Sequence, residues 1–453
     1  MEDDRRFTTV LRDPRGEERH SETKDQPMLL SPTLAINQEI DRRRRAGLPV
    51  VALGFGEANI PVHPMLTAAL GEHAGRAGYG PVQGLPELLD EAAEYWVRRK
   101  VPTRAEHVVV GPGSKALLFA VFEALGGPVL LPGPSWVSYA AQNRILGQQV
   151  VTVPAPTGQG GLPDPEALRD AATRLHADGA PAAAVLMTIP DNPTGTVASP
   201  DQVRAVCSVA EDFDLTIISD EIYLDLVHDP KRDVLTPAQI MPDRTIITTG
   251  LSKSLALGGW RLGVSRIPDH GPLRAVRERV VGVASEIWSA AAQPVQRVAA
   301  LAFSEPPELV DRIAQSRRLH SRLARTVAEI FAAAGANVAQ PEGGFYVYPD
   351  FEPIRGQLAA QGAMTSRDLA HLLLEEEGIA TLPGVAFGDD LARLALRVAV
   401  PMLYGTDDDQ RMEALEAESP ETLPWITQSL DVLHAGLSRL AGSSTMPNTT
   451  PVT

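Results

Sequence analysis

The residues of this sequence best suited to covalent chemistry lie in Gly250-Leu251-Ser252-Lys253-Ser254, followed by Gly258-Gly259-Trp260-Arg261. A lysine amine forms a Schiff base with a carbonyl only when neutral, and a second cation such as Arg261, eight positions on, lowers its pKa. Taken alone, Lys253 reads better as a surface lysine. Upstream, Gly111-Pro112-Gly113-Ser114-Lys115-Ala116 opens an apolar stretch, 116–125. Glycines let the backbone come close to a ligand, and free N–H groups at a helix start favour an anion such as phosphate. The spacing is neither G-x-G-x-x-G nor a Walker loop, which argues against a dinucleotide or a nucleoside triphosphate.

Three further segments carry polar groups after apolar runs. In Pro134-Ser135-Trp136-Val137-Ser138-Tyr139, Ser135 reads as a helix cap, and Trp136 in the first turn offers a flat face for an aromatic ligand. The turn Pro190-Asp191-Asn192-Pro193-Thr194-Gly195 aims the Asn192 amide at a ligand and has room for a cis prolyl bond. Asp220 and Tyr223 follow another run. A carboxylate at the end of a central strand is costly unless paired, so Asp220 calls for a buried cation.

The elements that must position these groups are legible as β-branched runs at 107–110, 129–131, 150–153, 185–189, 215–219, 245–249 and 262–267, alternating with helical stretches. That pattern predicts an α/β fold with a mostly parallel central sheet flanked by helices, whose ligands bind at the carboxyl ends of the strands. Asp164-Pro165 and Ser199-Pro200 mark two helix starts, a capping side chain before proline at the first helical position. A long helix over 307–334 leads into Gly343-Gly344-Phe345-Tyr346 and a further βα-like segment. The expected organisation is a flexible extension at 1–27, a large domain at 76–305, a smaller α/β domain from both flanks (28–75 and 306–441), and a flexible tail at 442–453. The run Arg42, Arg43, Arg44 and Arg45 reads as a solvated helix face.

Composition removes several function classes. The 453 residues carry 57 acidic and 41 basic side chains, a formal charge of −16 that repels phosphate backbones and anionic lipid surfaces. Neither nucleic acid nor a membrane is expected as a partner. With one cysteine, Cys207, no intrachain disulfide or cysteine-based metal cluster can form; no metal site and a cytoplasmic location are expected. Residues 1–25 are charged throughout, unlike a secretory signal, and no stretch reaches the roughly 18 apolar residues of a membrane span.

In their order and spacing, Asn192-Pro193-Thr194-Gly195, Ser219-Asp220-Glu221-Ile222-Tyr223, Ser252-Lys253 and Gly258-Gly259-Trp260-Arg261-Leu262-Gly263 closely resemble the class I/II aminotransferases of fold type I, over about residues 54–397. The resemblance implies an enzyme of amino-acid metabolism that uses pyridoxal 5′-phosphate, moves an amino group from an amino acid to a 2-oxo acid through a pyridoxamine phosphate intermediate, and works as a homodimer. It implies that Lys253 forms the internal aldimine and shuttles the proton, that Asp220 pairs with the pyridine nitrogen, and that Tyr223 and Asn192 bond the ring oxygen. Trp136 would stack on the ring; Ser114, Lys115, Arg261 and Ser252 would hold the phosphate. Tyr79 matches the tyrosine that reaches the neighbouring subunit's phosphate, Arg397 the arginine that grips the substrate α-carboxylate, and Gly56 a glycine lying against the substrate, where Trp136 and Asn192 also make contact. One departure stands out: three residues before the lysine, where many relatives carry a phosphate-binding serine, this chain has Gly250.

Lyases of the 1-aminocyclopropane-carboxylate synthase or carbon–sulfur β-lyase kind, and oxidases on the same fold, would share all of these residues. Regulators that fuse such a domain to a DNA-binding head are disfavoured by the acidic charge and by the short segment ahead of the family-like region. For the substrate side chain, the resemblance implies that segment 284–289 meets the substrate of the partner subunit; it holds no arginine, and its Glu286 and Trp288 point to a neutral, aromatic or cationic group, whereas Lys115 points to an acidic one.

Overall fold

The computed structural model describes residues 30–442 and the backbone of a short antiparallel pair, Leu11–Arg12 with Glu18–Arg19. The flexible extension and tail expected at 1–27 and 442–453 fall almost wholly outside the described residues.

Every apolar run read from the sequence is a strand of one seven-stranded sheet, with bounds moved by no more than two residues. In chain order these are β1 (Val108–Gly111), β2 (Val129–Gly133), β3 (Val150–Pro154), β4 (Ala184–Thr188), β5 (Thr216–Asp220), β6 (Thr245–Gly250) and β7 (Gly263–Arg266). They lie in the order β1-β7-β6-β5-β4-β2-β3, and only β7 runs against its neighbours. Six carboxyl ends therefore open on one edge, which brings Gly111, Thr188, Asp220 and Gly250 to a common rim. Strand β4 is buried at all five positions and β6 at all six, as a parallel sheet covered on both faces demands.

The helices start where capping chemistry places them. The Asp164 carboxylate accepts from the N–H groups of Glu166 and Ala167 at 3.1 and 3.0 Å at the head of helix Pro165–Ala177. Ser199 and Gln202 form a reciprocal capping box at the head of helix Pro200–Asp212.

A second unit gathers around the antiparallel strands Tyr346–Val347, Leu396–Ala399 and Leu382–Pro383 and the parallel pair Val51–Ala52 with Ile379–Ala380. Its core joins Leu53 and Ile60 to Leu323, Phe331, Phe345 and Leu433. The structure adds helices beyond those read from the sequence, Asp408–Glu416 and Pro424–Leu440.

One boundary is proposed anew, and one expectation needs correction. Helix Pro64–His73, assigned above to the smaller unit, buries Leu66 and Ala69 in the core that holds Leu88, Trp96 and Phe303 of the larger one. We propose that the division between the two lies before Pro64. In helix Pro32–Arg45, Arg42, Arg44 and Arg45 are exposed as expected, but Arg43 is buried. It pairs with Glu39 at 3.1 Å and Glu375 at 2.5 Å, because helix Ser366–Glu377 lies across it. Among the described residues no helix is long and apolar enough to cross a membrane.

Candidate active site

At the carboxyl rim a cavity of about 470 Å³ opens between the sheet and the second unit. Its wall contains Gly56, Ser114, Lys115, Trp136, Asn192 and Asp220, together with Tyr223, Ser252, Lys253, Arg261 and Arg397. Of the residues given a cofactor or α-carboxylate role from the sequence, Tyr79 alone stands apart, 92% exposed and outside the cavity wall.

Lys253 follows β6, and its Nζ donates to the Gly56 carbonyl at 2.6 Å. Burial pulls its pKa down to about 8; Glu57 opposes this, and Arg397, Lys115 and Arg261 reinforce it. The neutral amine is thus far more accessible than on an exposed lysine.

Asp220 ends β5 and is buried, which pushes its pKa up to about 6. Among the described residues no cation forms the ion pair that the sequence called for, although the charge of Lys253 lowers the Asp220 pKa from further off. The carboxylate instead accepts from the Tyr139 hydroxyl at 2.7 Å and the Ile222 N–H at 3.3 Å. Tyr139 in turn shares a hydrogen bond with Thr188 at 3.1 Å. A cationic group arriving beside Asp220 would reverse the upward push on its pKa.

The cup for an anion is built by backbone. Gly113 has φ 93° and precedes helix Ser114–Leu125, whose first N–H groups have no intrahelical acceptor. A side chain on Gly113 would collide with the Arg261 guanidinium, and one on Gly263 with the Ser114 nitrogen. Arg261 reaches this place from a left-handed backbone (φ 56°), donating to Gly258 O at 2.7 Å and Pro112 O at 3.3 Å. The departure at Gly250 has a physical reason. Gly250 faces Gly263 across the β6–β7 pair, and a Cβ there would stand 2.8 Å from the Leu262 carbonyl oxygen, so no serine fits.

Trp136 caps helix Val137–Leu146 through its backbone; Ser135, expected as the cap, lies one position further out and donates its N–H to Phe387 O at 2.9 Å. The Trp136 ring meets Tyr139 edge-on at 5.2 Å, and the Lys115 ammonium lies 4.9 Å from its centroid. The bonds Gly133–Pro134 and Ile189–Pro190 are cis, the second within the turn where such a bond was expected. Asn192 is buried in that turn, and its Oδ1 finds no hydrogen-bond donor among the described residues.

Arg397, 1% exposed in strand Leu396–Ala399, donates to the Gly54 carbonyl and lies 4.9 and 5.2 Å from the Tyr346 and Phe387 ring centroids. No carboxylate among the described residues pairs with it. A buried guanidinium without a counterion is a site prepared for one. Gly56 leaves the approach open: a Cβ there would run into the Tyr346 hydroxyl and stand 3.0 Å from Arg397 Nη1.

Sequence reasoning gave no role to Tyr139, Thr188, Glu57 or Tyr346, all of which line the cavity. Tyr139 was within reach, three residues past Trp136 and so on the same helix face. Nothing local marks Tyr346, whose place depends on how the second unit closes over the rim. Glu286 is exposed and Trp288 packs against the core cluster that holds Val280; neither lines the cavity of this chain.

Comparison with known proteins agrees with this geometry. The family model for aminotransferase class I and II matches residues 50–416. The aspartate/prephenate aminotransferase of Thermus thermophilus is 30% identical over 397 residues, covering 86% of this chain and 96% of that protein. The aspartate/prephenate aminotransferase of Cereibacter sphaeroides is 33% identical over 371 residues, 79% of this chain and 89% of its own. The solved structure of aspartate aminotransferase from Thermus thermophilus with maleate superposes with a TM-score of 0.74 at 28% identity, covering 88% of this chain and 99% of that one. A sheet of this order, a lysine at its rim and relatives of this kind lead to one conclusion: the chain belongs to the class I and II aminotransferases and is an enzyme of fold type I that transfers amino groups.

Proposed function

We propose that the cavity holds pyridoxal 5′-phosphate and that the enzyme, a cytoplasmic homodimer, moves the amino group of aspartate to a 2-oxo acid. The observation that carries this reading is the convergence of a half-buried amine (Lys253), a buried carboxylate with no ion-pair partner among the described residues (Asp220) and an open anion cup beside Arg261. The residues fit the cofactor. Gly113 and Gly263 keep the cup clear for a phosphate, Trp136 offers a flat wall, and Asn192 and Tyr223 present polar atoms to the same space. When bound, the cofactor supplies a protonated ring that takes up the electron pair left on the substrate Cα.

The chain's own groups do the rest. Lys253 would bind the cofactor and then, as a free amine, take the substrate Cα proton and deliver it to the cofactor's C4′ carbon. Asp220 keeps the ring nitrogen protonated, and Tyr139 holds Asp220 in line. Ser114 and Lys115 N–H groups, Arg261 and Ser252 hold the phosphate. Arg397 fixes the α-carboxylate, and Gly56 leaves room for it.

Aspartate is favoured for two reasons. The relatives above are named for it, and the Lys115 ammonium in the cavity wall has no carboxylate partner among the described residues. This departs from the expectation built on Glu286 and Trp288, which concerns the partner's substrate site and gives way here to Lys115 and to the names of the relatives. Tyr79, exposed on one protomer, is assigned to the partner's phosphate site. Borohydride reduction of the loaded enzyme followed by peptide mapping tests the assignment: the label is expected on Lys253, and a label on another lysine would overturn it.

A further inference from the structure

We infer that Tyr346 is a positioning residue that links carboxylate binding at Arg397 to the hydroxyl of Tyr223. The inference rests on the reading that the cofactor's ring oxygen is met by Tyr223, and adds the path by which substrate binding is felt there.

The geometry comes from the small sheet. Tyr346 stands opposite Ala399 in the antiparallel pair, and Arg397, two residues from Ala399, shares its face. The Arg397 guanidinium therefore lies against the Tyr346 ring, 4.9 Å from the centroid. The Tyr346 hydroxyl and Arg397 Nη1 converge on the open face of Gly56. From the other side the Tyr346 hydroxyl bonds the Tyr223 hydroxyl at 2.7 Å, and both tyrosines are buried. The large unit's cofactor-side tyrosine and the second unit's carboxylate-binding arginine thus meet through one hydroxyl.

A phenol has one proton to donate. With the single proton of Tyr223 given to the ring oxygen, the bond between the two hydroxyls has to carry the proton of Tyr346, and while no carboxylate sits at Arg397 that bond strengthens Tyr223 as a donor. A substrate carboxylate is an acceptor only, and beside Gly56 it competes for the same proton. When Tyr346 turns to it, Tyr223 loses that support, and the cofactor linkage on Lys253 holds its proton to higher pH. Binding thereby prepares the linkage for proton transfer.

The test is an absorbance titration of the Lys253–cofactor linkage against pH, with and without maleate, in the wild type, Tyr346→Phe, Tyr223→Phe and the double variant. The wild-type midpoint is expected to rise on adding maleate. In Tyr346→Phe the free midpoint should already be raised, by roughly one pH unit for a lost hydrogen bond to a charged system, and the maleate shift should fall below half. The double variant should behave as Tyr223→Phe alone, since the two act in series. A maleate shift of wild-type size in Tyr346→Phe, or additive effects in the double variant, would overturn the link and leave the cofactor reading intact. A wild type with no pH-dependent cofactor absorbance would remove both.

Discussion

Replacing Arg397 by lysine tests the substrate end of the site. The guanidinium is buried, has no carboxylate partner among the described residues, and is aimed by the Gly54 carbonyl and by the rings of Tyr346 and Phe387. An arginine meets a carboxylate through two parallel charge-assisted bonds, of which lysine can make one. A hydrogen bond to a charged group contributes about 1.5–3 kcal/mol, and about 1.4 kcal/mol is tenfold in affinity. Maleate and aspartate should therefore bind roughly 10- to 100-fold more weakly to Arg397→Lys. Cofactor affinity should stay within about twofold, because neither the Gly54 bond nor the two ring contacts touch the phosphate cup at Gly113 and Arg261. Ligand binding read from the change in cofactor absorbance, beside cofactor titration of the apoprotein, separates the two. Maleate affinity unchanged in the variant, or cofactor affinity lost in step with it, would refute the reasoning.

Because Lys253 reacts only as a neutral amine and is pulled from 10.5 to about 8, the rate of cofactor capture by the apoprotein should rise with pH through about 8 and level off above it. A rate still climbing toward pH 10 would mean an unperturbed lysine. In Gly113→Val the new side chain enters the Arg261 guanidinium from a positive-φ position, so cofactor affinity measured by titration should fall at least about tenfold. If Tyr79 completes a neighbour's phosphate site, Tyr79→Ala should lower cofactor affinity while sedimentation still reports a dimer, and a fully active monomer at low concentration would contradict it. Comparison of kcat/KM across aspartate, phenylalanine, leucine and arginine should rank aspartate first; a clear win for arginine would assign the pocket to Glu57 instead of Lys115.

The sequence by itself determined the seven strands, their common rim and most of the residues on it. The strands are short apolar runs, buried on both faces except at the edge strand β3, and each polar group follows its strand within a few positions, so local spacing carries it to the carboxyl end. The same locality revealed the caps at Asp164 and Ser199, which depend only on neighbours in the chain. Tertiary structure alone decided the electrostatics. Asp220 is satisfied by Tyr139 and a backbone N–H rather than by a cation, because helix Val137–Leu146 passes over the end of β5. Arg43 is buried because a helix more than 300 residues away in the chain crosses it. Tyr346, Arg397 and Gly56 belong to segments far apart in the chain and meet only where the second unit folds over the rim. Short-range patterns record which face an element buries; they hold no information on which element will cover it, and burial, with the pKa shifts and open charges it brings, is set by that cover.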